Sequence, residues 1–213
     1  VVIDSGFVVL LGPDYAGKSA TMARLAAAPS PWELVSVDDG FVDRGHALIS
    51  RLRRDLVADV LPSLGSRYSP DFLVGLLQMA VLHLRDRVSA GASTGPLLVD
   101  SYYYKILAKC RLAGVPDNPM FAWWRSFPQP RRVVYLDVAP DVAWRRSRNG
   151  SAVNRLEHYG ERPDRSAFEA FQRDLRPLLL EEIGRVPVSV VAEQDSVAGT
   201  ARAVREVLSR EQR

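Results

Sequence analysis

The sequence predicts an α/β fold: a three-layer sandwich in which a five-stranded parallel sheet carries helices on both faces. Two observations predict it. Short apolar runs alternate with longer amphipathic stretches along the 213 residues, which is the pattern of a parallel sheet covered by helices. The first apolar run, Phe7–Leu11, leads directly into Gly12 and then Gly17, as expected where a buried strand turns sharply into a helix. The length suits one domain, residues 1–213.

Five apolar runs have the length of buried strands, and the stretches between them have helical spacing. The predicted strands are Phe7–Leu11, Leu34–Val37, Leu97–Val99, Val133–Asp137 and Val186–Val191. The predicted helices are Lys18–Ala28, His46–Val60, Asp71–Ser89, Tyr103–Ala113, Pro140–Arg148, Ser166–Glu182 and Val197–Arg210. Between them, Ala90–Thr94 is predicted as a turn, and Asn149–Asp164 as a long loop that covers a ligand.

The segment Gly12–Ser19 has the complete pattern of a phosphate-binding loop, Gly-x₄-Gly-Lys-Ser. Glycines let backbone N–H groups converge on phosphate oxygens, and the helix that follows adds its positive N-terminus. We therefore predict that the chain binds a nucleoside triphosphate. Lys18 would reach the β- and γ-phosphates as a catalytic group, and the Ser19 hydroxyl would bind Mg²⁺. The predicted nucleotide-binding residues in this segment are Gly12, Asp14, Tyr15, Ala16, Gly17, Lys18, Ser19 and Ala20.

A second candidate for phosphate chemistry is Asp100, which ends the apolar run Leu97–Val99. A carboxylate at this place holds Mg²⁺, directly or through water, in enzymes with a phosphate-binding loop. Asp137 ends a similar apolar run, so the pattern alone does not separate the two. We predict Asp100, because of the residues that follow it.

Composition limits the classes of partner. Hydrophobic residues make up 47% and charged residues 25% of the chain, which is typical of globular proteins, and a net charge of +3 does not indicate a nucleic-acid partner. The single cysteine, Cys110, cannot form an internal disulfide and favours a reducing cytoplasm. No stretch approaches the ~18–20 apolar residues of a membrane span, and a signal peptide is not expected because the loop begins at Gly12.

Several motifs, in order along the chain, resemble those of thymidylate kinases. Asp100-Ser101-Tyr102, with Ala108 six residues after the tyrosine, resembles the family's Asp-Arg-Tyr…Ser…Ala-Tyr motif. The loop Gly12–Ser19 is similar to Gly-x-Asp-Gly-x-Gly-Lys-Ser-Thr, with Asp14 in the matching place. Further segments resemble the family's Leu-Asp-Val-x-Pro strand, its arginine-bearing helix and the region after its lid: Tyr135–Val138 with Pro140, Arg145-Arg146, Arg155–Glu157 and Phe168–Phe171.

The resemblance implies a kinase fold of the adenylate and thymidylate kinase type, with Phe7–Leu11 central in the sheet and flanked by the strand that ends at Asp100. It implies ATP and Mg²⁺ as cofactors, a nucleotide or nucleoside as phosphate acceptor, and a lid at about residues 145–165. It also implies that Asp14 approaches a sugar hydroxyl of the acceptor, that Asp195-Ser196 borders the adenine, and that the chain forms a homodimer.

Arginines in the predicted lid are candidates for contacts with the transferring phosphoryl group, where a guanidinium stabilises developing charge. Arg145 and Arg148 share a helical face at i and i+3, whereas Arg146 points elsewhere. We predict Arg148 and Arg155 as catalytic contacts and Arg145 as an ATP contact. Solvated surface charges are the alternative for each of them.

The acceptor side departs from the thymidylate kinase pattern. The family's three phosphate-anchoring arginines have no counterpart: Asp38-Asp39 follows the second strand, Gln78 stands in the third helix, and Ser101 replaces the arginine of Asp-Arg-Tyr. Carboxylates would repel a phosphate acceptor but would accept a proton from a hydroxyl. We therefore predict Asp38 and Asp39 as catalytic carboxylates toward a neutral or cationic alcohol, such as a nucleoside or natural product. A turn or helix cap before Gly40 is the alternative.

Other side chains could restore binding of a phosphate acceptor. Arg44, Arg53, Arg85 and Lys105 lie near enough in sequence to replace the missing arginines. The predicted substrate-binding residues are Asp14, Arg44, Gln78, Tyr102 and Lys105. The aromatic residues Phe121, Trp123, Trp124 and Phe127 are interpreted as packing residues, and Cys110 as a small core residue.

Two other classes of function remain open. A GTPase-like switch is disfavoured because the chain has no Asn-Lys-x-Asp motif for guanine. A catalytically silent relative that serves as a binding protein is disfavoured by the presence of Lys18, Ser19 and Asp100 together.

Overall fold

The computed structural model describes residues 6–27, 29–91 and 95–211. Its sheet has five strands, β1 (Phe7–Leu11), β2 (Glu33–Val35), β3 (Leu97–Asp100), β4 (Arg132–Asp137) and β5 (Val188–Ala192). All neighbouring strands pair in parallel, in the order β2-β3-β1-β4-β5. The predicted α/β class is therefore confirmed, with β1 central and β3 beside it.

The register of the sheet brings the predicted phosphate-handling residues together. Leu10 of β1 pairs with Asp100 of β3, and Leu11 pairs with Tyr135 of β4. Because the carboxyl ends of parallel strands meet at one edge, Asp100 lies beside the point where β1 passes into the Gly12 loop.

Eight α-helices cover the described sheet: α1 (Lys18–Ala26), α2 (Ala47–Asp55), α3 (Pro70–Ala90), α4 (Tyr104–Leu112), α5 (Pro119–Arg125), α6 (Pro140–Arg146), α7 (Arg165–Glu182) and α8 (Val197–Arg210). Side chains of a strand alternate between its faces, so β1 contributes to two cores. Phe7, Val9 and Leu11 pack with residues of α3, α4, α5 and α7. Val8 and Leu10 pack with residues of α1 and α8 on the other face. Both faces are covered, as the alternating pattern predicted.

Some boundaries differ from the prediction. The helix expected over His46–Val60 is divided into a 3₁₀ turn at Arg44–His46, helix α2 and a π-helical turn at Leu56–Val60. Helix α5 was not predicted, and its Phe121 and Trp124 enter the core beside Phe127 and Cys110, as expected for packing residues. The predicted helix end at Ala28 and residues 92–94 of the predicted turn lie outside the described residues.

The end of α6 is a correction with consequences for the predicted lid. The helix was expected to reach Arg148 but ends at Arg146. Arg148, Asn149 and Gly150 then adopt left-handed φ angles of 58°, 53° and 90°. A Cβ on Gly150 would lie 2.2 Å from the Trp144 ring, so glycine is required where the chain turns back over that ring.

Among the described residues, none of the helices is both long and apolar enough to cross a membrane.

Candidate functional site

Two glycines shape the loop between β1 and α1. Gly12 has a φ of +155°, and a Cβ there would lie 2.7 Å from the Leu136 carbonyl oxygen. Gly17 has a φ of +91° and precedes α1, whose first turn has no side-chain cap. The first N–H groups of α1 therefore remain available to an anion. Predicted residues 14–20 line a cleft at this edge of the sheet, with Gly12 packed behind them.

Lys18 is almost fully buried within the loop. Its ammonium donates hydrogen bonds to the carbonyl oxygens of Gly12 (3.1 Å) and Pro13 (2.9 Å). Burial and the nearby charge of Lys105 lower the pKa of Lys18 to about 7, although Asp100 and Asp14 oppose the shift. The loop therefore holds a lysine whose charged form needs an additional anion to stabilise it.

Asp14 is the centre of a buried ionic cluster under the loop. Its Oδ1 lies 2.6 Å from Lys105 Nζ and 2.8 Å from Lys109 Nζ, both on α4. Gln172 of α7 donates to Asp14 Oδ2 (3.1 Å) and accepts from the Asp14 backbone N–H (3.0 Å). Burial alone would raise the pKa of the Asp14 carboxyl, but the two lysines outweigh it and hold the pKa well below its usual range. Asp14 thus fixes the loop to α4 and α7, and its carboxylate already has three side-chain partners.

Tyr15 connects the loop to the segment that follows α6. Its hydroxyl lies within donating distance of the Ala152 carbonyl oxygen (2.5 Å) and of Glu157 Oε2 (2.9 Å). Glu157 also accepts from the Asn154 backbone N–H (3.1 Å) and pairs with Lys109 (3.3 Å). Residues 152–157 of the predicted lid are therefore held against the loop and the Asp14 cluster.

Three oxygen-bearing side chains line the cleft beside the loop: Ser19, Asp38 and Asp100. The Ser19 hydroxyl donates to Asp38 Oδ2, and Ser36 donates to Asp100 Oδ2 at 3.0 Å. Hydroxyl and carboxylate oxygens are ligands that Mg²⁺ prefers, so Ser19 and Asp100, the two predicted ligands, fit this ion, with Asp38 beside Ser19. Within the described ranges no group of three or more His, Cys, Asp or Glu residues could by itself hold a metal ion.

The two predicted carboxylates after β2 have different surroundings. Asp38 lines the cleft and pairs with Arg53 Nη2 at 2.8 Å. Asp39 is exposed outside the cleft, where it pairs with Arg54 at 3.4 Å. A hydrogen bond from the Phe41 N–H to the Asp38 carbonyl (2.8 Å) closes a turn that points the two side chains apart. The structure therefore does not place Asp39 in the cleft.

The arginines expected over the phosphates are also placed differently from the prediction. Arg146 lines the cleft and approaches the Ala16 carbonyl oxygen (3.4 Å) and Glu193 (3.8 Å). Arg145 pairs instead with Asp141 on the surface of α6 at 2.7 Å. Arg148 is exposed outside the cleft because the helix ends before it, and Arg155 donates to the Gly160 carbonyl. The face of α6 that meets the cleft therefore carries Arg146. The i, i+3 argument had favoured the other face, with Arg145 and Arg148.

The remaining predicted residues divide into two groups. Tyr102, Lys105, Asp195 and Ser196 line the cleft, and Arg53 and Lys105 both already face carboxylates there. Arg44, Gln78 and Arg85 do not line it. Arg85 pairs with Asp86 and lies over the Phe127 ring, whereas Arg44 is exposed in the 3₁₀ turn before α2.

Sequence reasoning did not find Lys109, Glu157 or Gln172 as members of the site. The spacing of Lys105 and Lys109 at i and i+4 on one helix was an available signal, since it puts both on one face. No local signal marks Gln172, which lies 158 positions from Asp14 along the chain.

The cleft is large, at about 870 Å³, and continues from the loop toward α2 and α3. The turn after β3 forms part of its floor. There Ser101 and Tyr102 adopt φ angles of 58° and 46°, which are uncommon outside glycine and recur at functional sites.

Comparison with solved structures gives the fold. Deoxyadenosine kinase from M. mycoides, with dCMP and dCDP bound, superposes with a TM-score of 0.61 at 11% identity, over 96% of this chain and 98% of that one. The same enzyme with dATP gives 0.60 at 12% identity, over 95% and 98%. Thymidylate kinase from Candida albicans gives 0.61 at 15% identity, over 97% and 92%. No family model and no curated protein matches the sequence. The chain therefore has the phosphate-binding-loop fold of the nucleoside and nucleotide kinases, as its motifs implied.

Proposed function

We propose that the protein is an ATP- and Mg²⁺-dependent kinase that phosphorylates a hydroxyl group of a small molecule. The observation that carries the proposal is the arrangement around Ser19. Lys18 of the loop and the carboxylate of Asp38 face the same cleft, and the Ser19 hydroxyl links Asp38 to the loop. The loop that would bind the phosphate donor thus lies beside a proton acceptor.

The donor half of the cleft, formed by the phosphate-binding loop and the start of α1, suits a polyphosphate ligand. The uncapped start of α1 and the Gly17 turn direct N–H groups toward the phosphates, and Lys18 and Arg146 supply positive charge. Ser19 and Asp100 would hold Mg²⁺, which when bound neutralises charge on the β- and γ-phosphates. The neighbour with bound dATP supports an adenine nucleotide as donor.

The acceptor half favours a hydroxyl that carries no phosphate of its own. Asp38 is the acidic side chain that faces α2 in the cleft, and Arg53, the arginine of α2 that lines the cleft, is already paired with it. The acceptor oxygen would attack the γ-phosphorus while the bond to the β–γ bridging oxygen breaks. ADP leaves, and the hydroxyl proton passes to the Asp38 carboxylate.

Nucleosides and nucleotides are the second acceptor class to test. The structures of the same fold are named deoxyadenosine kinase and thymidylate kinase, and these names suggest such acceptors here. Because Asp38 already neutralises Arg53, this pair favours the nucleoside over the nucleotide.

The test is a screen for ADP release with MgATP and panels of nucleosides, nucleotides and other alcohols. Lys18→Ala should lower turnover at least ~10²-fold because it removes charge stabilisation from the transition state. Asp38→Asn should lower it by ~10²-fold or more, whereas Asp39→Asn, outside the cleft, should stay within about twofold. Normal turnover by Asp38→Asn, or turnover of dTMP with no other acceptor, would contradict the proposal.

A further inference from the structure

The half of the cleft distant from the phosphate-binding loop has an almost wholly apolar wall. It is formed by α2, the π-helical turn at Leu56–Val60 and α3. Every side chain that these three elements contribute to the cleft is apolar except Arg53. Representative members are Ile49, Leu52, Leu56, Leu76, Leu77 and Ala80.

Two pairs of polar groups near this wall are satisfied by each other, whereas the buried Tyr102 hydroxyl, which lines the cleft, has no hydrogen-bond partner among the described residues. Arg53 pairs with Asp38, and the Ser101 hydroxyl donates to Asp100 at 2.8 Å. Gln78, a polar residue in the middle of α3, does not line the cleft, and its Oε1 is buried without a hydrogen-bond partner among the described residues. Apart from Tyr102, a nucleobase against this wall would exchange its hydrogen bonds to water for contacts with carbon, and each group left unpaired would cost about tenfold in affinity.

The apolar surface continues to the mouth of the cleft. Val57 and Met79 line the cleft while 42% and 43% exposed, respectively. Large apolar side chains that stay exposed at the rim of a cavity mark a binding surface for apolar matter. The volume of about 870 Å³ covers both this half of the cleft and the space before the loop.

We propose that the acceptor of this kinase is a bulky apolar alcohol, with an aliphatic or polycyclic body against α2 and α3 and its hydroxyl at Asp38. The inference rests on the proposed function and names its substrate class. The burial of carbon drives binding of the body, because transfer of apolar surface out of water is favourable. Asp38 lies at the junction between the apolar wall and Ser19, so the one polar end of such a molecule meets the donor phosphates.

The first experiment measures binding apart from turnover. The full chain with Mg²⁺ and a non-hydrolysable ATP analogue is titrated with geraniol, farnesol, thymidine and thymidine monophosphate. We expect the apolar alcohols to bind at least ~10-fold more tightly than thymidine. Equal or tighter binding of thymidine or its monophosphate overturns the proposal, and so does the failure of both apolar alcohols to bind.

A matched pair of variants locates the binding. Ala80→Phe adds a ring inside the cleft and should weaken farnesol at least tenfold, with the affinity for the ATP analogue within twofold. Ala90→Phe adds the same ring at an exposed position of the same helix and should change neither. Unchanged farnesol binding in folded Ala80→Phe contradicts the proposal. If Ala80→Phe does not fold, the titration of the unchanged chain still decides.

Measurement of ADP release distinguishes a failure of this inference from a failure of the proposed function. If apolar alcohols bind but no compound of the panel is phosphorylated, the kinase activity is refuted and the apolar site remains. Phosphorylation of thymidine alone would keep the kinase activity and refute the apolar acceptor.

Discussion

Lys18 should take up a proton when the nucleotide binds. Its pKa is lowered to about 7 by burial and by Lys105, so near pH 8 the free protein carries a largely neutral amine there. Phosphate oxygens beside Lys18 favour the charged form and return the pKa toward 10 or above. With these two values, uptake is about 0.9 proton at pH 8 and falls to about 0.2 at pH 6.5.

Calorimetry can count the proton. A non-hydrolysable ATP analogue is titrated at pH 8 in buffers of different ionisation enthalpy, and the slope of the observed enthalpy against the buffer enthalpy gives the number of protons. Although burial opposes it, Asp14 raises the pKa of Lys105, so that lysine stays charged in both states and does not contribute.

Lys18→Arg is the matched control, because a guanidinium remains protonated and should abolish the uptake. A wild-type uptake below about 0.2 proton at pH 8, or equal uptake in Lys18→Arg, would refute the reasoning.

Three further predictions follow from the ionic contacts around the cleft. Asp14→Asn should lower the free energy of unfolding, measured in urea, by about 3–5 kcal/mol, because it leaves two buried lysines without their carboxylate. Asp39→Asn, which removes a charge from an exposed pair, should lower it by less than about 1 kcal/mol. Similar losses in the two variants would contradict the buried cluster. Tyr15→Phe removes about 1 kcal/mol of hydrogen bonding, so amide exchange in residues 152–157 should rise about fivefold, and unchanged exchange there would show that the hydroxyl does not hold that segment. Arg146→Ala should lower kcat/KM for ATP at least ~10-fold, while Arg145→Ala on the outer surface of α6 should stay within twofold; the reverse order would restore the sequence-based choice.

The donor side of the cleft was accessible from sequence because its determinants are local. A buried strand, glycines where the backbone must turn, and a lysine and serine at fixed spacing lie within residues 7–19. Gly12 and Gly17 satisfy constraints that act over a few residues, namely a close carbonyl and a left-handed φ. Asp100 and Asp137 both end apolar runs, so the strand end did not separate them; the residues that follow Asp100 decided the choice.

The arginines of the predicted lid show where local reasoning stops. Helical spacing grouped Arg145 with Arg148, but α6 ends at Arg146 because Gly150 packs on Trp144 and the chain reverses there. Which side of a short helix meets the cleft depends on that packing. Spacing along the chain does not contain this information.

The acceptor side was open in the sequence for a similar reason. Asp38 and Asp39 are adjacent and chemically identical, yet one faces the cleft and the other the surface. The turn at Phe41 and the positions of Arg53 and Arg54 on α2 decide between them.

The sequence by itself determined the parallel sheet and the phosphate-binding loop, because each is encoded in contiguous runs whose periodicity or glycine spacing has one physical reading. The central place of Phe7–Leu11 was implied by the resemblance to thymidylate kinases. Only the tertiary structure decided what surrounds that loop. The Asp14 cluster joins residues of the loop, α4, the segment after α6 and α7, and the apolar wall joins α2 with α3. These contacts unite distant parts of the chain through packing, so the chemistry offered to the acceptor exists only in the folded molecule.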